Sequence, residues 1–424
     1  MPRTNEASST PPRTADRLRR RAIPELSGGE KQKIALLSLL AIDPAFLILD
    51  EPFTDIEPAS RDSILGILSE ASFRGALVVF DQELTYLQAF DRAVILHDGR
   101  ILYDGDPSAA ADQSLLAQAG LEAPGILQVF PRGATAGSIR EQFLFDERAY
   151  AGLAAAPASG EKLIEVKNLS FHYEGSEHPA LEDINFEVGR GDFVAVVGSN
   201  GSGKTTLMKL LAGILGFRRG DILYQGRSTH RRDLAGVIGY VYQNPDNQIF
   251  APTVAEEIGF ILKMKKADPG LIEEKTRRIM GLLGLADKRE VDPFTLSKGD
   301  REKTACASIL VAEPETIILD EPTAGLDHPS LRELMAIINT LNREGRTVLM
   351  ITHAMEVAAA YGQKIMAMAD GRIIYFGEKR TLFRDEGLLH LARLKRTPLM
   401  DLSLELNGEL LLGADEFRAC WKKR

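Results

Sequence analysis

A glycine-rich motif near the middle of the chain restricts the fold more than any other feature. The motif, Gly198-Ser-Asn-Gly-Ser-Gly-Lys-Thr205, follows an apolar run at 193–197 and opens a predicted helix at 204–212. In a strand, loop and helix of this kind, backbone N–H groups curl around the β- and γ-phosphates of a nucleotide. Lys204 adds a mobile cation for those phosphates, and Thr205 a hydroxyl for Mg²⁺. A glycine-rich turn without a ligand is the alternative, and the flanking strand and helix argue against it.

Short apolar or β-branched runs that end in polar loops recur around this motif. They occupy 163–166, 193–197, 316–319 and 347–351. Such runs suit buried strands with helices between them. The sequence therefore predicts an α/β fold built on a mostly parallel sheet.

Two parts of the chain are distant copies of each other. Leu26-Ser-Gly-Gly-Glu30 and Phe46-Leu-Ile-Leu-Asp-Glu-Pro52 recur as Leu296-Ser-Lys-Gly-Asp300 and Thr316-Ile-Ile-Leu-Asp-Glu-Pro322, a spacing of 270 residues from Ser27 to Ser297. An Asp-Gly-Arg triplet likewise occurs at 98–100 and at 370–372. The phosphate loop starts 99 residues before Ser297, whereas 26 residues precede Ser27. The first copy therefore lacks a phosphate loop.

This repeat defines the predicted organisation of the chain. Each copy of the repeat is called a cassette below. We expect a disordered N-terminus at 1–22, an incomplete first cassette at 23–108, a linker at 109–160, a complete second cassette at 161–385 and a helical appendix at 386–424. The linker is predicted from its Ala, Gly and Pro content. For the arginines at 19–21, a basic arm or a transit peptide is the alternative to disorder. A missing phosphate-loop lobe implies a truncated start, a disrupted gene or completion by another polypeptide, and we expect truncation.

Composition excludes several classes of protein. A formal net charge of −9 argues against a general nucleic-acid binder. The two cysteines, Cys306 and Cys420, have neither metal-site nor redox-pair spacing. The most apolar stretch, 34–49, is interrupted by Asp43 and Pro44 and is shorter than the ~20 residues that span a bilayer. The N-terminal segment lacks the apolar core of a secretory signal.

Polar residues that end predicted strands supply the candidate catalytic groups. Asp320 would hold Mg²⁺ through water, and Glu321 would orient and deprotonate the attacking water. His353, after the next strand, could reach the γ-phosphate, and Gln243 offers an amide oxygen to Mg²⁺ and the water. A strand followed by a turn, an incidental histidine and a buried structural glutamine are the corresponding alternatives.

Two further segments predict contacts with nucleotide. Tyr173 could stack on adenine, although a half-exposed strand aromatic is the alternative. Ser27 precedes a helical run at 31–41 and suits a helix N-terminus, while Gly28 and Gly29 allow the backbone to approach a phosphate closely. We expect this second segment to contact the far side of another nucleotide.

Taken together, these motifs resemble those of the ATP-binding-cassette (ABC) ATPase family from Ile23 onward. The resemblance implies tandem P-loop NTPase domains, each with a mostly parallel sheet flanked by helices, an antiparallel β subdomain and a helical subdomain. It also implies two ATP molecules, each held between the phosphate loop of one cassette and the signature motif of the other. The implied nucleotide-binding residues are Tyr173, Gly198, Ser199, Asn200, Gly201, Ser202, Gly203, Lys204, Thr205, Thr206, Ser27, Gly28, Gly29, Glu30 and Asp327. The implied Mg²⁺ ligands are Thr205, Gln243 and Asp320, and the implied catalytic residues are Glu321, His353 and Gln243.

Departures from the family pattern imply two unequal sites. The phosphate loop of the second cassette and the Ser27–Glu30 signature make one complete composite site. In the other signature, Lys298 replaces a glycine whose backbone must approach phosphate, and Asp300 adds a charge of the wrong sign. Asp50 and Glu51 of the first cassette would serve this second site, but the first cassette has no phosphate loop. The histidine position of this second site falls on Asp81, Gln82 or Glu83.

The loop at 243–250, Gln-Asn-Pro-Asp-Asn-Gln-Ile-Phe, and the appendix resemble those of energy-coupling-factor and cobalt-type importers. This resemblance implies ATP-driven uptake of a vitamin or metal ion by a peripheral subunit at the cytoplasmic face of the cell membrane. It implies a transmembrane coupling subunit and a substrate-binding membrane subunit as partners. A second ABC ATPase or the missing first-cassette lobe is a further candidate partner. The alternatives are a soluble double-cassette ATPase acting on ribosomes or DNA, which predicts a long charged linker, and an inactive truncated fragment.

Overall fold

The computed structural model describes residues 28–42, 44–53, 61, 64–68, 76–82, 84–121, 123, 125–130, 136–153, 160–176, 178–229, 231–234, 236–323, 326 and 328–424. The chain divides into two compact units, Met1–Val79 and Phe80–Arg424. The predictions for Ser27, Asp327 and the N-terminal segment 1–22 concern residues outside this described part.

In the described part of the first unit, a 13-residue helix precedes a two-stranded sheet. Helix α1 (Gly28–Leu40) is followed by strands β1 (Phe46–Asp50) and β2 (Ala76–Phe80), which pair with each other. Leu36 and Leu47 are buried, whereas Phe46 and Ile48 are exposed.

The second unit begins with a hairpin and a series of short helices. The hairpin strands are β3 (Ala93–His97) and β4 (Arg100–Gly105), which pair antiparallel. After it come α2 (Pro107–Ala110), α3 (Gln113–Ala119), α4 (Gly125–Val129), α5 (Ala136–Gln142), strand β5 (Phe143–Phe145) and α6 (Glu147–Leu153). Asp106 and Asp112 cap α2 and α3 by accepting hydrogen bonds from backbone N–H groups of the first turn.

The main body of the second unit is built on two sheets. Its strands are β6 (Lys162–Phe171), β7 (Leu181–Gly189), β8 (Phe193–Gly198), β9 (Arg219–Tyr224), β10 (Arg227–Thr229), β11 (Ile238–Val241), β12 (Thr316–Asp320), β13 (Thr347–Ile351), β14 (Lys364–Ala369) and β15 (Arg372–Glu378). The order β10-β9-β6-β7 forms an antiparallel sheet. The order β11-β12-β13-β8-β14-β15 forms a sheet in which every pair is parallel except β14 with β15.

Helices cover both faces of the larger sheet. They are α7 (Lys204–Leu211), α8 (Arg231–Leu234), α9 (Val254–Met264), α10 (Pro269–Leu282), α11 (Lys298–Leu310), α12 (His328–Arg343) and α13 (Met355–Tyr361). Strands β8, β12 and β13 are buried along their whole length, as apolar runs in a parallel sheet require. The predicted α/β fold with a mostly parallel sheet and an antiparallel subdomain is confirmed.

Four C-terminal helices and a short strand complete the chain. They are α14 (Lys379–Arg384), α15 (Glu386–Leu391), α16 (Pro398–Asn407), α17 (Ala414–Cys420) and β16 (Trp421–Lys423). Strand β16 pairs antiparallel with β5, and Trp421 is buried beside Phe145 and Phe417. Among the residues that the structure describes, no helix is both long and apolar enough to cross a membrane.

The segment 109–160, predicted as a linker, is ordered over much of its length. Phe130, Ile139 and Phe143 pack in one apolar cluster with residues of α16 and α17. Phe130 makes edge-to-face contacts with Phe143 and Phe417, whose ring centroids lie 5.6 and 5.4 Å away. The Ala, Gly and Pro content of the segment did not indicate this packing, because its scattered apolar residues find their core in the C-terminal helices.

The repeated sequence segments have the same local structure. Helices α1 and α11 each have 13 residues and β1 and β12 each have 5, at matching positions of the repeat. Glu51 and Glu321, the residues after those strands, both have positive φ, 44° and 53°. The hairpins β3–β4 and β14–β15 show the same register irregularity, at Ile95/Leu96 and Ala367/Met368.

Candidate active site

The glycine-rich loop joins strand β8, inside the sheet, to helix α7. Gly198 has a φ of 143°, and a Cβ atom there would lie 2.1 Å from the backbone oxygen of Met368. Glycine is therefore required where β8 turns into the loop. The Nζ of Lys204, a buried residue, donates to the backbone oxygens of Gly198 and Ser199 at 2.8 and 3.0 Å. Its positive charge lies inside the loop, where a phosphate would meet it.

The interior of the loop offers hydrogen-bond donors to an anion. Helix α7 begins at Lys204, so the positive end of its helix dipole faces the loop. Ser202 is 1% exposed, and its Oγ has no hydrogen-bond partner among the described residues. A buried hydroxyl of this kind costs free energy unless a ligand accepts its proton. The loop therefore fits a bound phosphate group.

A carboxylate and two hydroxyls meet beside the loop. Strand β12 ends at Asp320, whose Oδ1 accepts a hydrogen bond from Thr205 Oγ1 at 3.1 Å. Its Oδ2 accepts a second hydrogen bond from the Tyr240 hydroxyl at 2.6 Å. A hydroxyl and a carboxylate, both oxygen ligands, are the donor set that Mg²⁺ prefers when phosphates complete its coordination.

Three polar side chains converge at the next position along the chain. Glu321 Oε2 accepts a hydrogen bond from Gln243 Nε2 at 2.9 Å. Its Oε1 lies 3.0 Å from His353 Nε2, outside the geometry of a regular hydrogen bond. Because β11, β12 and β13 are adjacent and parallel, the residues that follow them meet at one edge of the sheet. The edge predicted to carry Glu321, Gln243 and His353 brings all three together.

Tyr173 lies beside the start of helix α7. Its hydroxyl shares a hydrogen bond of 3.0 Å with Thr206 Oγ1, and its ring packs edge to face against Phe171 with centroids 4.9 Å apart. The residue is 45% exposed. A tethered, half-exposed ring next to the phosphate loop provides a surface on which a planar base can stack.

Comparison with known proteins identifies the family. A family model described as ABC transporter matches residues 6–54 and 181–324. A protein of Caldanaerobacter subterraneus subsp. tengcongensis, named as an ABC transporter ATP-binding protein, is 33% identical over 423 residues, covering 94% of this chain and 74% of its own length. The chain belongs to the ABC transporter ATPase family. A protein of the same description from Streptococcus mutans is 30% identical over 398 residues, covering 90% of this chain and 71% of its own length.

Among solved structures, this ABC ATPase is similar to cbiO1 of Clostridium perfringens, which is part of the ABC transporter complex cbiONQ. The likeness has a TM-score of 0.49 at 30% identity and covers 54% of this chain and 94% of that one. Membership of the family means that the chain binds and hydrolyses ATP, as the sequence predicted.

Burial and neighbouring charges shift the pKa values in the site of the ABC ATPase. Burial raises the pKa of Asp320, as does the charge of Glu321, while the hydrogen bond from Tyr240 opposes the increase. Burial would also raise the pKa of Glu321, but His353 and Lys204 outweigh it and hold that pKa below its usual value. The surroundings therefore favour the ionised form of Glu321 and disfavour that of Asp320.

The two signature segments are placed in different units. Gly28, Gly29 and Glu30 form the first turn of α1 in the first unit. The second signature opens α11, where Ser297 caps the helix by accepting from Asp300 N at 3.2 Å. The same serine donates its proton to Asp300 Oδ2 at 2.9 Å, and Lys288 Nζ lies 2.6 Å from that oxygen. The Ser297 hydroxyl thus has its proton committed to Asp300.

Tyr240 is the site residue that sequence reasoning missed. Gln243 was singled out from the sequence and Tyr240 was not, yet the Tyr240 hydroxyl reaches Asp320 across the β11–β12 pair. Tyr240 faces Ile318 in that register, two residues before the carboxylate. The signal that could have identified Tyr240 is its hydroxyl, carried by a strand residue close to a predicted carboxylate.

Proposed function

We propose that this ABC ATPase energises a membrane importer of small solutes, a vitamin or a metal ion, of the energy-coupling-factor type. The observation that carries the catalytic part is the convergence of Gln243 and His353 on Glu321, next to the loop that holds Lys204. The resemblance of the loop 243–250 and of the C-terminal appendix to that group supports the transport part.

In the proposed reaction, the loop N–H groups and Lys204 hold the β- and γ-phosphates of ATP. Glu321, held ionised by its surroundings, accepts a proton from the water that attacks the γ-phosphorus. Gln243 fixes the Glu321 carboxylate in direction, and His353 contacts the γ-phosphate. Bound Mg²⁺, supplied with the nucleotide, would neutralise phosphate charge, and Thr205 and Asp320 are the residues that would hold it. In this proposal, Tyr173 stacks on the adenine.

Exposed aromatic side chains follow the Gln243 loop. Phe250 is 58% exposed and Phe260 is 39% exposed, and their ring centroids lie 4.7 Å apart. An exposed aromatic pair of this kind favours a protein partner. We assign it to a transmembrane coupling subunit, with a separate membrane subunit that recognises the solute, and place the ABC ATPase at the cytoplasmic face of the membrane.

The repeated elements support two cassettes in one chain, at 23–108 and 161–385. Ile48 of β1 is 59% exposed, whereas its counterpart Ile318 of β12 is fully buried in a cluster that includes Leu207 and Leu210 of α7. We propose that a lobe equivalent to 162–234 covers the corresponding face of β1. Because the Ser297 hydroxyl donates its hydrogen bond to Asp300, we also propose one complete and one degenerate ATP site.

Nucleotide binding and turnover test the catalytic proposal. We expect Lys204→Ala to lose Mg-ATP binding at millimolar concentration, because the loop loses its internal cation. Glu321→Gln should retain binding and lose turnover by about 10²- to 10⁴-fold. Lys263→Ala, an exposed lysine on α9, is the control and should leave both unchanged. Equal nucleotide binding by Lys204→Ala and the unchanged protein would overturn the assignment.

Association with membrane proteins tests the transport proposal. Affinity purification should recover integral membrane proteins, and Phe250→Asp should release them because a buried carboxylate without a partner is costly. Phe294→Asp introduces the same charge at a residue that is 50% exposed elsewhere and should retain them. Recovery of ribosomes or DNA in place of membrane proteins would favour a soluble double-cassette ATPase.

A further inference from the structure

Gln248 joins the end of strand β11 to the signature helix α11. Its Oε1 accepts a hydrogen bond from the backbone N–H of Tyr242 at 3.1 Å. Its Nε2 donates to the backbone oxygen of Ala305 at 2.7 Å and to Ser308 Oγ at 3.0 Å. A single side-chain amide therefore uses both its acceptor and its donors to connect two elements.

The loop between these contacts is short and internally bonded. Residues 245–247 form a 3₁₀ turn in which Asn244 accepts from Asp246 N at 2.9 Å. Beyond Gln248, the buried carboxylate of Glu257 accepts from the N–H groups of Phe250 and Ala251 at 3.0 and 2.9 Å. The loop is thus held at both ends by hydrogen bonds.

Two sets of hydrogen bonds, joined by the peptide backbone between Tyr242 and Gln243, link Glu321 to α11. Gln243 Nε2 contacts Glu321, and the adjacent residue Tyr242 contacts Gln248, which in turn contacts α11. The α11 end of this link lies at Ala305 and Ser308, both of which are buried. Hydrogen bonds in such surroundings are electrostatically stronger than in water and expensive to leave unmade.

We propose that Gln248 is a positioning residue for ATP hydrolysis. It holds the backbone at Tyr242 so that the neighbouring Gln243 amide is directed at Glu321, and it fixes that position relative to the helix that carries the signature segment 297–300. The inference rests on the proposed catalytic roles of Gln243 and Glu321.

The structure also offers a glutamine with a purely architectural role for comparison. Gln363 is partly buried like Gln248 and likewise joins two elements. Its Oε1 accepts from Phe193 N at 3.2 Å, and its Nε2 donates to Asn342 Oδ1 at 3.3 Å. Because Phe193 begins β8, Gln363 lies at the edge of the sheet opposite the phosphate loop.

The test compares Gln248→Met with Gln363→Met in the full chain. Both changes keep the side-chain length and remove the amide, so both should lower the Tm. Gln248→Met should reduce kcat by about 10- to 100-fold, the effect of a slight misplacement of catalytic groups, with the Kd for Mg-ATP within about twofold. Gln363→Met should leave kcat unchanged. A kcat for Gln248→Met equal to that of Gln363→Met would overturn the proposal.

A double-mutant cycle gives an independent criterion. If Gln248 acts through Gln243, adding Gln248→Met to Gln243→Ala should lower kcat little further than Gln243→Ala alone. Multiplicative effects of the two changes would overturn the inference. Ser308→Ala removes one of the two Nε2 acceptors and should give a smaller loss of kcat, so it decides the matter if Gln248→Met does not fold. Loss of ATP binding by Lys204→Ala would uphold the proposed function even where these tests fail.

Discussion

The Tyr240 hydroxyl donates a 2.6 Å hydrogen bond to Asp320 Oδ2, while Thr205 Oγ1 bonds to the other oxygen of the same carboxylate. Both Tyr240 and Asp320 are buried. Burial, together with the nearby Asp320 charge, raises the pKa of Tyr240 far above its usual value, so the phenol keeps its proton and acts only as a donor to that oxygen. The bond fixes the direction in which Asp320 presents its free lone pairs.

Tyr240→Phe should therefore lower the affinity of the site for Mg²⁺. Loss of the donor leaves a buried carboxylate oxygen unsatisfied, at a cost of about 1–3 kcal/mol in the free energy of unfolding. We expect ATP turnover to require a higher Mg²⁺ concentration, measured by titration at saturating ATP. Tyr242→Phe is the control, since it keeps the ring that packs edge to face against Tyr240 and against the apolar core. An unchanged Mg²⁺ dependence in Tyr240→Phe would contradict this role.

Two glycines of the phosphate loop should respond differently to alanine. A Cβ atom at Gly198 would lie 2.1 Å from Met368 O, whereas one at Gly201, with φ of 78°, meets nothing within 4 Å. Gly201→Ala should cost only the strain of a positive φ, about 1–2 kcal/mol. Gly198→Ala should cost more and abolish ATP binding, because backbone atoms must move apart. Denaturant unfolding and nucleotide binding are measured for both variants. Equal losses of stability and of ATP binding in Gly198→Ala and Gly201→Ala would exclude the close contact at Gly198.

Asp300 should contribute a pH-dependent part of stability. Burial raises the pKa of this carboxyl, but the hydrogen bonds from Lys288 and Ser297 outweigh it and hold the pKa below its usual value. A carboxyl whose folded pKa is lowered stabilises the protein above its unfolded pKa of about 4, and the contribution is lost as pH falls through the folded pKa. Asp300→Asn should be less stable than the unchanged protein at pH 7, and the difference should disappear in acid.

Urea unfolding at a series of pH values measures this difference. Asp287→Asn, which changes an exposed carboxyl close in sequence, is the control and should leave the free energy of unfolding at pH 7 unchanged. A stability difference for Asp300→Asn that stays constant down to pH 3 would rule out the ionised pair with Lys288.

Trp421 should hold the segment 136–153 in place. Its ring centroid lies 5.3 Å from that of Phe145 and 6.0 Å from that of Phe417, and β16 pairs with β5. Trp421→Ala should destabilise this cluster by about 3–5 kcal/mol and expose 136–153 to limited proteolysis. Lys423→Ala changes an exposed residue of the same strand and should remain protected. Equal protection of the two variants would show that the cluster does not depend on the indole.

The parts of the site that sequence predicted are those set by local chemistry. The glycines of the Gly198–Thr205 motif are enough to predict its loop conformation. An apolar strand followed by Asp320 and Glu321 places both carboxylates at the sheet edge where its parallel neighbours also end. His353 could be placed by the same reasoning because β13 is adjacent to β12.

Other contacts were decided by pairings between distant segments. The β5–β16 ribbon joins residues near 144 to residues near 422, and each strand has only three residues, too few for a sequence pattern to predict the pairing. The roles of Tyr240 and Gln248 likewise depend on the register of β11 against β12 and on how α11 packs.

The amino-acid sequence by itself determined the phosphate loop, the strand-end carboxylates and the repeat, since each follows from neighbouring residues and their preferred backbone angles. The tertiary structure alone decided which hydroxyl bonds to Asp320, which amide connects β11 to α11 and what covers Trp421. The reason is physical: such contacts form between side chains far apart in the chain, and they exist only after folding has offset the entropy of bringing them together.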